Sequence, residues 1–568
     1  MTVEIVYEKE DRMDITEPVI KQKYSNGVFQ IDNKLKPNVV DNLGIDRYRT
    51  IGICGHLHAG KTALIDFLIS SSHSEVSRYT DNHILEKERK ISIFPTPISI
   101  YMTTKKTMKF NLIDFPGHTG CIYDFQNLQI VDSCCIVIDV IEGIQMNAKT
   151  ALSYCITHAI PFIVVLNKMD RFIVELKLPP QDAFRKIQVV INEINKYIKQ
   201  LGGTIEHKID PLKNNLIFSG LLHGFCFSLQ SFADMYLMKS KLRLTTNELV
   251  SKLWTGFAYK NGQFVHSKED SSFADFILEP LYKVYGIILG ESKDTIKAFI
   301  SRMGLKVPRS IYKESAKTIL IFVMQQWLGD PQPIVDSFSS LPQPSNRLYL
   351  ESLPNKASLL YKVIEEMSPQ GQVVVAVARI YYHEQLMAFG RVLSGTLQRG
   401  QRLVVTNNNE EFIEIPQHIY LPFARTLHEI NSASVGDFII IPVSENIRPN
   451  SLLVDSSFKT VDCIVPFRIN EPKWLYVAIE PRLPSNLAQM LQTVVIITRL
   501  YPAIEFKIQD SGEYGLFGPS EFLMDCVLHD LRYLCQFDVR VSDPIAKLRE
   551  TVLESSKMQC HSISPNLK

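Results

Sequence analysis

Eight consecutive residues, Gly55, His56, Leu57, His58, Ala59, Gly60, Lys61 and Thr62, restrict the folds open to this chain more than any other stretch. They fit G-x-x-x-x-G-K-[ST]. In such a loop the backbone N–H groups wrap a β-phosphate, the lysine neutralises β and γ oxygens, and the hydroxyl takes Mg²⁺. Gly55 and Gly60 permit the close backbone approach. Arg49 to Cys54 reads as an apolar strand and Ala63 to Ile69 as an amphipathic helix. The loop is therefore expected at a helix N-terminus, where anions bind.

Two further motifs follow in order. Asp114, Phe115, Pro116, Gly117 and His118 come directly after MKFNLI, and Asn167, Lys168, Met169 and Asp170 directly after PFIVVL. Both apolar runs read as buried parallel strands, so each motif is expected at a strand's C-terminal end. The Asp114 carboxylate is suited to hold Mg²⁺ through water, and the Gly117 N–H to bond the γ-phosphate and report its loss. Asn167 and Asp170 point to guanine, because a carboxylate there accepts the N1–H and N2–H₂ donors that adenine lacks; Lys168 is placed to lie across the ring. Ser219 and Gly220 end a strand where a loop backbone touches the base, although Ser-Gly is also ordinary loop punctuation. His118 is placed to orient the attacking water, against a structural role. Between the first two motifs runs Glu86 to Ile93, read either as a nucleotide-sensing loop, with Ser92 as the second Mg²⁺ hydroxyl and Lys90 beside it, or as solvated charge. The expected ligands are GTP or GDP with Mg²⁺.

The chain has 568 residues, room for about three to five domains on a prior of roughly 150 residues each. Its net charge of +1 announces no nucleic-acid binder by composition, so any basic surface has to be local. No run of 18 apolar residues occurs, so no membrane span is expected, and the charged N-terminus carries no secretory signal. Cys54, Cys134 and Cys135 fall in expected buried strands and outside C-x-x-C pairs, which favours reduced thiols over metal or disulfides.

The pattern predicts a multi-domain α/β protein. Residues 1–46 form a polar arm, either draped over a neighbouring surface or disordered. Residues 47–347 form a P-loop GTPase domain, a doubly wound and mostly parallel sheet with a helical elaboration from about 221, closing in a Pro- and Ser-rich linker at 337–347. From 358 to 466 the period falls to two between Gly-containing turns, as in a β-barrel. Residues 467–545 read as a small α+β sandwich, and 546–568 as the start of an incomplete further domain.

These motifs in this order, with a barrel and an α+β module behind them, resemble the translational GTPases of the elongation factor 2 and G branch. Within it they resemble the spliceosomal GTPases of the U5 small nuclear ribonucleoprotein that are similar to elongation factor 2. The resemblance is carried by GHLHAGKT, where translocases usually read AHVDHGKS or GHVDHGKT, and by RFIVELKLPPQDAFRKI at 171–187. FADFILEPLYKV, AFGRVLSGTLQRGQ, LMDCVLHDLR and the N-terminal EPVIK add to it. It covers nearly the whole chain.

By position, the resemblance gives Lys61, Thr62, Asp114, His118, Asn167, Lys168 and Asp170 the family's GTP roles. It implies a nuclear protein that switches conformation with GTP during spliceosome activation and disassembly. The implied partners are the large U5 scaffold protein, the RNA helicase that unwinds the U4/U6 duplex, and U5 snRNA. A ribosomal translocase, or a GTP-occupied scaffold that never hydrolyses, are the alternatives. His58 replaces a P-loop aspartate of the translocases, Ala59 a histidine, Ser92 a Mg²⁺-sensing threonine and Lys90 a glycine; Tyr514 and Ser520 depart from the third domain's usual forms. Slow intrinsic hydrolysis is the expectation from these departures. The family's C-terminal domains are expected after about residue 546 and its acidic extension before the arm, and neither is in the sequence.

Overall fold

The computed structural model describes residues 25–26, 30–31 and 44–546, except 71–77, 104–105, 240–244, 255, 261–262, 268–270, 354, 357, 408–409 and 459–471. Most of the N-terminal arm and residues 547–568 therefore lie outside the described residues. The chain forms two compact units. One takes in the chain to His118 and from Asn127 to Pro466; the other takes in Thr119–Gln126 and the chain from Phe467.

The first unit is built on seven strands: β1 (Tyr48–Gly55), β2 (Thr96–Thr103), β3 (Thr107–Asp114), β4 (Ser133–Asp139), β5 (Phe162–Asn167), β6 (Leu216–Gly220) and β7 (Phe225–Phe227). They lie in the order β2-β3-β1-β4-β5-β6-β7, parallel except at the two antiparallel edges β2 and β7. This is the doubly wound α/β sheet anticipated from the alternation. Its central strands are apolar throughout because helices cover both faces; every residue of β1, β4 and β5 is buried. Helix α1 (Lys61–Ile69) follows the P-loop, α2 (Ile84–Arg89) sits in the sensing segment, and α3 (Met146–Thr157) follows β4. α4 (Pro180–Gln200) starts with proline at its first turn and buries Phe184, Ile187, Ile191, Ile194 and Ile198, spaced three and four apart.

Register sets the site. Ile53 pairs with Asp114, Asp139 with Asn167, and Leu166 with Phe218. The three motifs and the Ser219 loop thus leave the sheet at one edge.

Helices follow β7, with a two-stranded ribbon (Phe257–Lys260 and Gln263–His266) between them. The last to pack on the sheet is α5 (Gln332–Ser340), whose Ile334, Val335 and Phe338 join the core of Ile51, Leu64 and Phe110. The stretch read as a linker is therefore helical over its first four residues. Its serines face inward or bond the helix itself: Ser337 is fully buried, and Ser339 and Ser340 donate to Val335 and Ser337 carbonyls.

The antiparallel barrel strands are β8 (Val374–His383), β9 (Gln385–Ser394), β10 (Leu403–Asn407), β11 (Glu410–Glu414), β12 (Ile419–Phe423), β13 (Thr426–Ile430), β14 (Phe438–Pro442) and β15 (Leu452–Asp455). Pairing runs β11-β10-β15-β8-β9-β14-β12-β13. Barrel and GTPase sheet, separate in the sequence reading, fall in one unit because buried groups join them. Lys109 pairs with Asp437; Arg391 pairs with Asp132 at 2.9 Å and donates to the Ile130 carbonyl; Asn111 donates to the Gly436 carbonyl. Of the arm, Ser25–Asn26 pairs with β8 and Gln30–Ile31 with β13.

In the second unit, strands β16 (Leu475–Pro481), β17 (Glu505–Ile508), β18 (Tyr514–Gly518) and β19 (Val539–Val541) form a sheet in the order β17-β18-β16-β19. Helices α6 (Leu487–Leu500) and α7 (Glu521–Cys535) pack with it. The fully buried Asp530 of α7 accepts from the Tyr501 hydroxyl at 2.6 Å, a paired polar contact in an apolar core.

Candidate nucleotide site

The P-loop is shaped by its glycines and lined by its lysine. Gly60 has φ 105, and a Cβ on it would come 2.1 Å from Asn167 Nδ2, so only glycine closes this turn against the third motif. Lys61 is buried and donates to the His56 carbonyl at 2.8 Å; burial lowers its pKa to about 8, with Asp114 opposing. A Cβ on Gly117 would sit 2.2 Å from Lys61 Nζ, which puts the second motif's backbone directly on the P-loop lysine.

The three residues expected at Mg²⁺ come together. Thr62 Oγ1 donates to Asp114 Oδ2 at 2.7 Å and lies 3.2 Å from Ser92 Oγ. Burial raises the Asp114 pKa to about 6, opposed by the hydroxyls of Thr80 and Thr62 and by Lys61. Its Oδ1 is buried with no partner among the described residues, an acceptor left over for a metal-bound water.

Asn167 links two loops. Its Nδ2 donates to the Ala59 carbonyl at 2.9 Å, and its Oδ1 accepts from Leu221 N at 3.1 Å and Ser219 Oγ at 3.2 Å. Ser219 and Gly220 thus adjoin the third motif, and a Cβ on Gly220 would lie 3.0 Å from Asp170 Oδ1. That oxygen is also buried and unpartnered among the described residues, as a reader of guanine N–H groups has to be. Burial raises the Asp170 pKa; His223, 3.8 Å away and held by the Tyr285 hydroxyl, opposes the shift. Lys168, with φ 67, is paired to Asp139 at 2.9 Å.

His118 is half-buried at the end of the first unit's first stretch of chain, and burial and then nearby His56 lower its pKa. It is neutral at neutral pH. His56 is half-buried, Leu57 partly so, and exposed His58 has φ 58. Burial and the charges of Lys168, Arg78 and Lys61 lower the His58 pKa, so the residue in the aspartate's place is uncharged.

Several residues here escaped the sequence reading. Thr80 donates to Asp114 Oδ2 at 2.6 Å, and Asp81 accepts from Ser92 at 2.9 Å. Asn147 donates to the Gly117 carbonyl at 2.7 Å. Glu86 divides the charged run: Lys87, Glu88, Arg89 and Lys90 are exposed, but Glu86 is buried and accepts four backbone N–H groups, from Asn82, His83, Ile93 and Phe94. It staples the two ends of the sensing segment together. The one signal for it was its place three residues after His83, the spacing of a helix cap.

The barrel grips this segment. Arg425 donates to the Arg78 carbonyl at 2.8 Å and lies over the Tyr79 ring; Asn82 donates to the Ala424 carbonyl; Tyr381 donates to the Pro95 carbonyl; Arg379 lies over Phe94.

The family described as the elongation factor Tu GTP binding domain matches residues 46–302. Curated relatives include the pre-mRNA-splicing factor cwf10 of Schizosaccharomyces pombe, 31% identical over all of this chain and 62% of the relative. The 110 kDa U5 small nuclear ribonucleoprotein component CLO of Arabidopsis thaliana is 29% identical over all of this chain and 62% of its own. The chain thus spans about three fifths of the length of these relatives. A crystal structure from Thermus thermophilus superposes with TM-score 0.52 at 16% identity, covering 88% of this chain and 67% of that one, which supports the fold. The chain thus has the multi-domain α/β fold of the translational GTPases, carries an elongation factor Tu-type GTP binding domain over residues 46–302, and is similar along its whole length to proteins named as pre-mRNA-splicing and U5 small nuclear ribonucleoprotein components.

Proposed function

We propose that this chain is a GTP-binding switch of the U5 small nuclear ribonucleoprotein, acting in the nucleus in spliceosome activation and disassembly. The observation that carries the reading is the convergence of three loops on one sheet edge, with Asp114 Oδ1 and Asp170 Oδ1 buried and unpartnered there, in a chain whose relatives are named as splicing and U5 components. The P-loop from Gly55 to Thr62 cradles the phosphates, Gly117 N–H meets the γ-phosphate, and Asp170 reads the base beside Asn167, Lys168, Ser219 and Gly220. Thr62 and Ser92 would hold Mg²⁺ with Asp114 behind it, and the ion would neutralise charge on the β and γ oxygens.

Loss of the γ-phosphate releases the sensing segment, and the barrel feels this through Arg425, Ala424 and Tyr381. Neutral His118 accepts a hydrogen bond from the attacking water and orients it. Slow turnover follows from a sensing loop that carries Lys90 where the family has glycine. The partners are the large U5 scaffold protein, the U4/U6-unwinding helicase and U5 snRNA.

Affinity purification of the tagged chain from nuclear extract with GTPγS tests the reading. U5 snRNA with those two proteins is the expected recovery. Ribosomal RNA in their place would favour a ribosomal translocase.

A further inference from the structure

We propose that Arg78 and Lys90 form a second cationic wall of the phosphate cleft, one that binds the terminal phosphate of GTP and so selects the triphosphate over the diphosphate. The inference rests on the guanine-nucleotide reading above.

Both residues line the cleft of about 190 Å³ that Gly60, Lys61, Thr62 and Gly117 also line. The P-loop supplies this cleft with one cation, Lys61; the sensing segment supplies two more. Both hold a left-handed backbone, with φ 49 at Arg78 and φ 55 at Lys90. A side chain in that region costs about 1 kcal/mol or more, and such strain persists where the surroundings over-determine it.

The surroundings do so here. Asp66 of α1 accepts from the N–H groups of Arg78 at 2.6 Å and Tyr79 at 2.8 Å, while Arg425 holds the Arg78 carbonyl. Lys90 ends α2, whose Glu86 binds the N–H groups of Ile93 and Phe94 beyond it. The backbone that carries the two cations is thus held by the P-loop helix, the barrel and the Glu86 staple.

Acidic groups nearby are already engaged. Asp66 serves two backbone donors; Asp81 accepts from Ser92 and pairs with the Arg78 Nε, which offsets part of that charge and leaves Arg78 its remaining N–H donors for the cleft. Exposed Lys90 has no ion pair among the described residues. The lowered pKa of His58, caused by burial and then by Lys168, Arg78 and Lys61, agrees with a field of converging positive charge.

The terminal phosphate is the group these cations meet. The β-phosphate is enclosed by the P-loop backbone, whereas the sensing segment joins the P-loop through the Thr62 and Ser92 hydroxyls, on the Mg²⁺ and γ side.

The test measures GTPγS and GDP dissociation constants with Mg²⁺ on the full chain and on Lys90→Asn, Lys90→Gly and Arg78→Asn. Asn and Gly accept the left-handed backbone, so removal of charge is separated from loss of the turn. GTPγS binding is expected to weaken about tenfold in each variant, with GDP within about twofold of the parent. Unchanged GTPγS affinity in both Lys90 variants, or equal weakening of the two nucleotides, overturns the inference while leaving the nucleotide site intact. A parent chain that binds neither nucleotide overturns the site reading and this inference with it. If Arg78→Asn unfolds because Asp81 is left buried without its partner, the two Lys90 variants decide alone.

Discussion

His118 shows how one side chain's charge state becomes a kinetic expectation. Burial, then the charge of His56, holds its pKa below the usual value of 6.5. Above that pKa the ring is neutral and accepts a hydrogen bond from water; below it the ring is protonated and cannot. Partner-stimulated GTP hydrolysis is therefore expected to fall as the pH drops from 7 through a value under 6.5. His118→Ala is expected to lower the stimulated rate tenfold or more and to remove that acid limb. A full-rate variant with the same pH profile would assign the limb to another group. The motif residues were legible in sequence because phosphate and base chemistry demand fixed residue types at fixed offsets. Thr80 and Asp81 were not, because a lone threonine or aspartate has no such frame, and their partners lie 34 and 11 residues away.

At the scale of elements, the sensing segment has its two ends joined through a single carboxylate. Glu86 receives four N–H donors from both ends of the segment; burial and Asp81 raise its pKa, opposed by His83 and by the N–H groups of Phe94 and Ile93. Glu86→Ala leaves those donors buried and unpaired, each costing about 1–3 kcal/mol if water does not reach it. The segment is therefore expected to open. Amide exchange at Asn82, His83, Ile93 and Phe94 should accelerate at least a hundredfold, while amides of β1 keep their protection. Equal protection at both places would show that the staple is dispensable. Composition misled in this region because EKERK reads as solvent-facing charge, true of four of its five residues. It misled at α5 as well: Ser337, Ser339 and Ser340, which suggested a linker, are folded into the helix, and only Pro342, Pro344 and Ser345 lie in the non-helical chain beyond it.

For the whole molecule, the doubly wound α/β class was readable from apolar runs alternating with helical segments, but the order of the strands in the sheet, the short edge strand Phe225–Phe227 and the joining of GTPase sheet and barrel into one unit were not. Lys109 and Asp437 are 328 residues apart, and nothing in either neighbourhood announces the other. Burial alone would push the Lys109 pKa down; Asp437 beside it wins and holds it up. A buried pair of this kind fixes geometry more than it adds stability, since desolvation offsets most of the attraction. The same barrel contacts the sensing segment through Arg425, Ala424 and Tyr381, which is where the proposed switch would pass on a change at the γ-phosphate.

All of this requires that the crevice at the sheet edge choose guanine through Asp170. The direct measurement is equilibrium binding of GTP, ATP and XTP to the parent chain and to Asp170→Asn. An amide in place of the carboxylate supplies a donor for the second carbonyl of xanthine and withdraws an acceptor from guanine. The parent is expected to bind GTP at least a hundredfold more tightly than ATP or XTP, and Asp170→Asn to lose about a hundredfold for GTP while gaining XTP. A parent that binds GTP and ATP alike, or a variant whose preference does not move, would contradict the account.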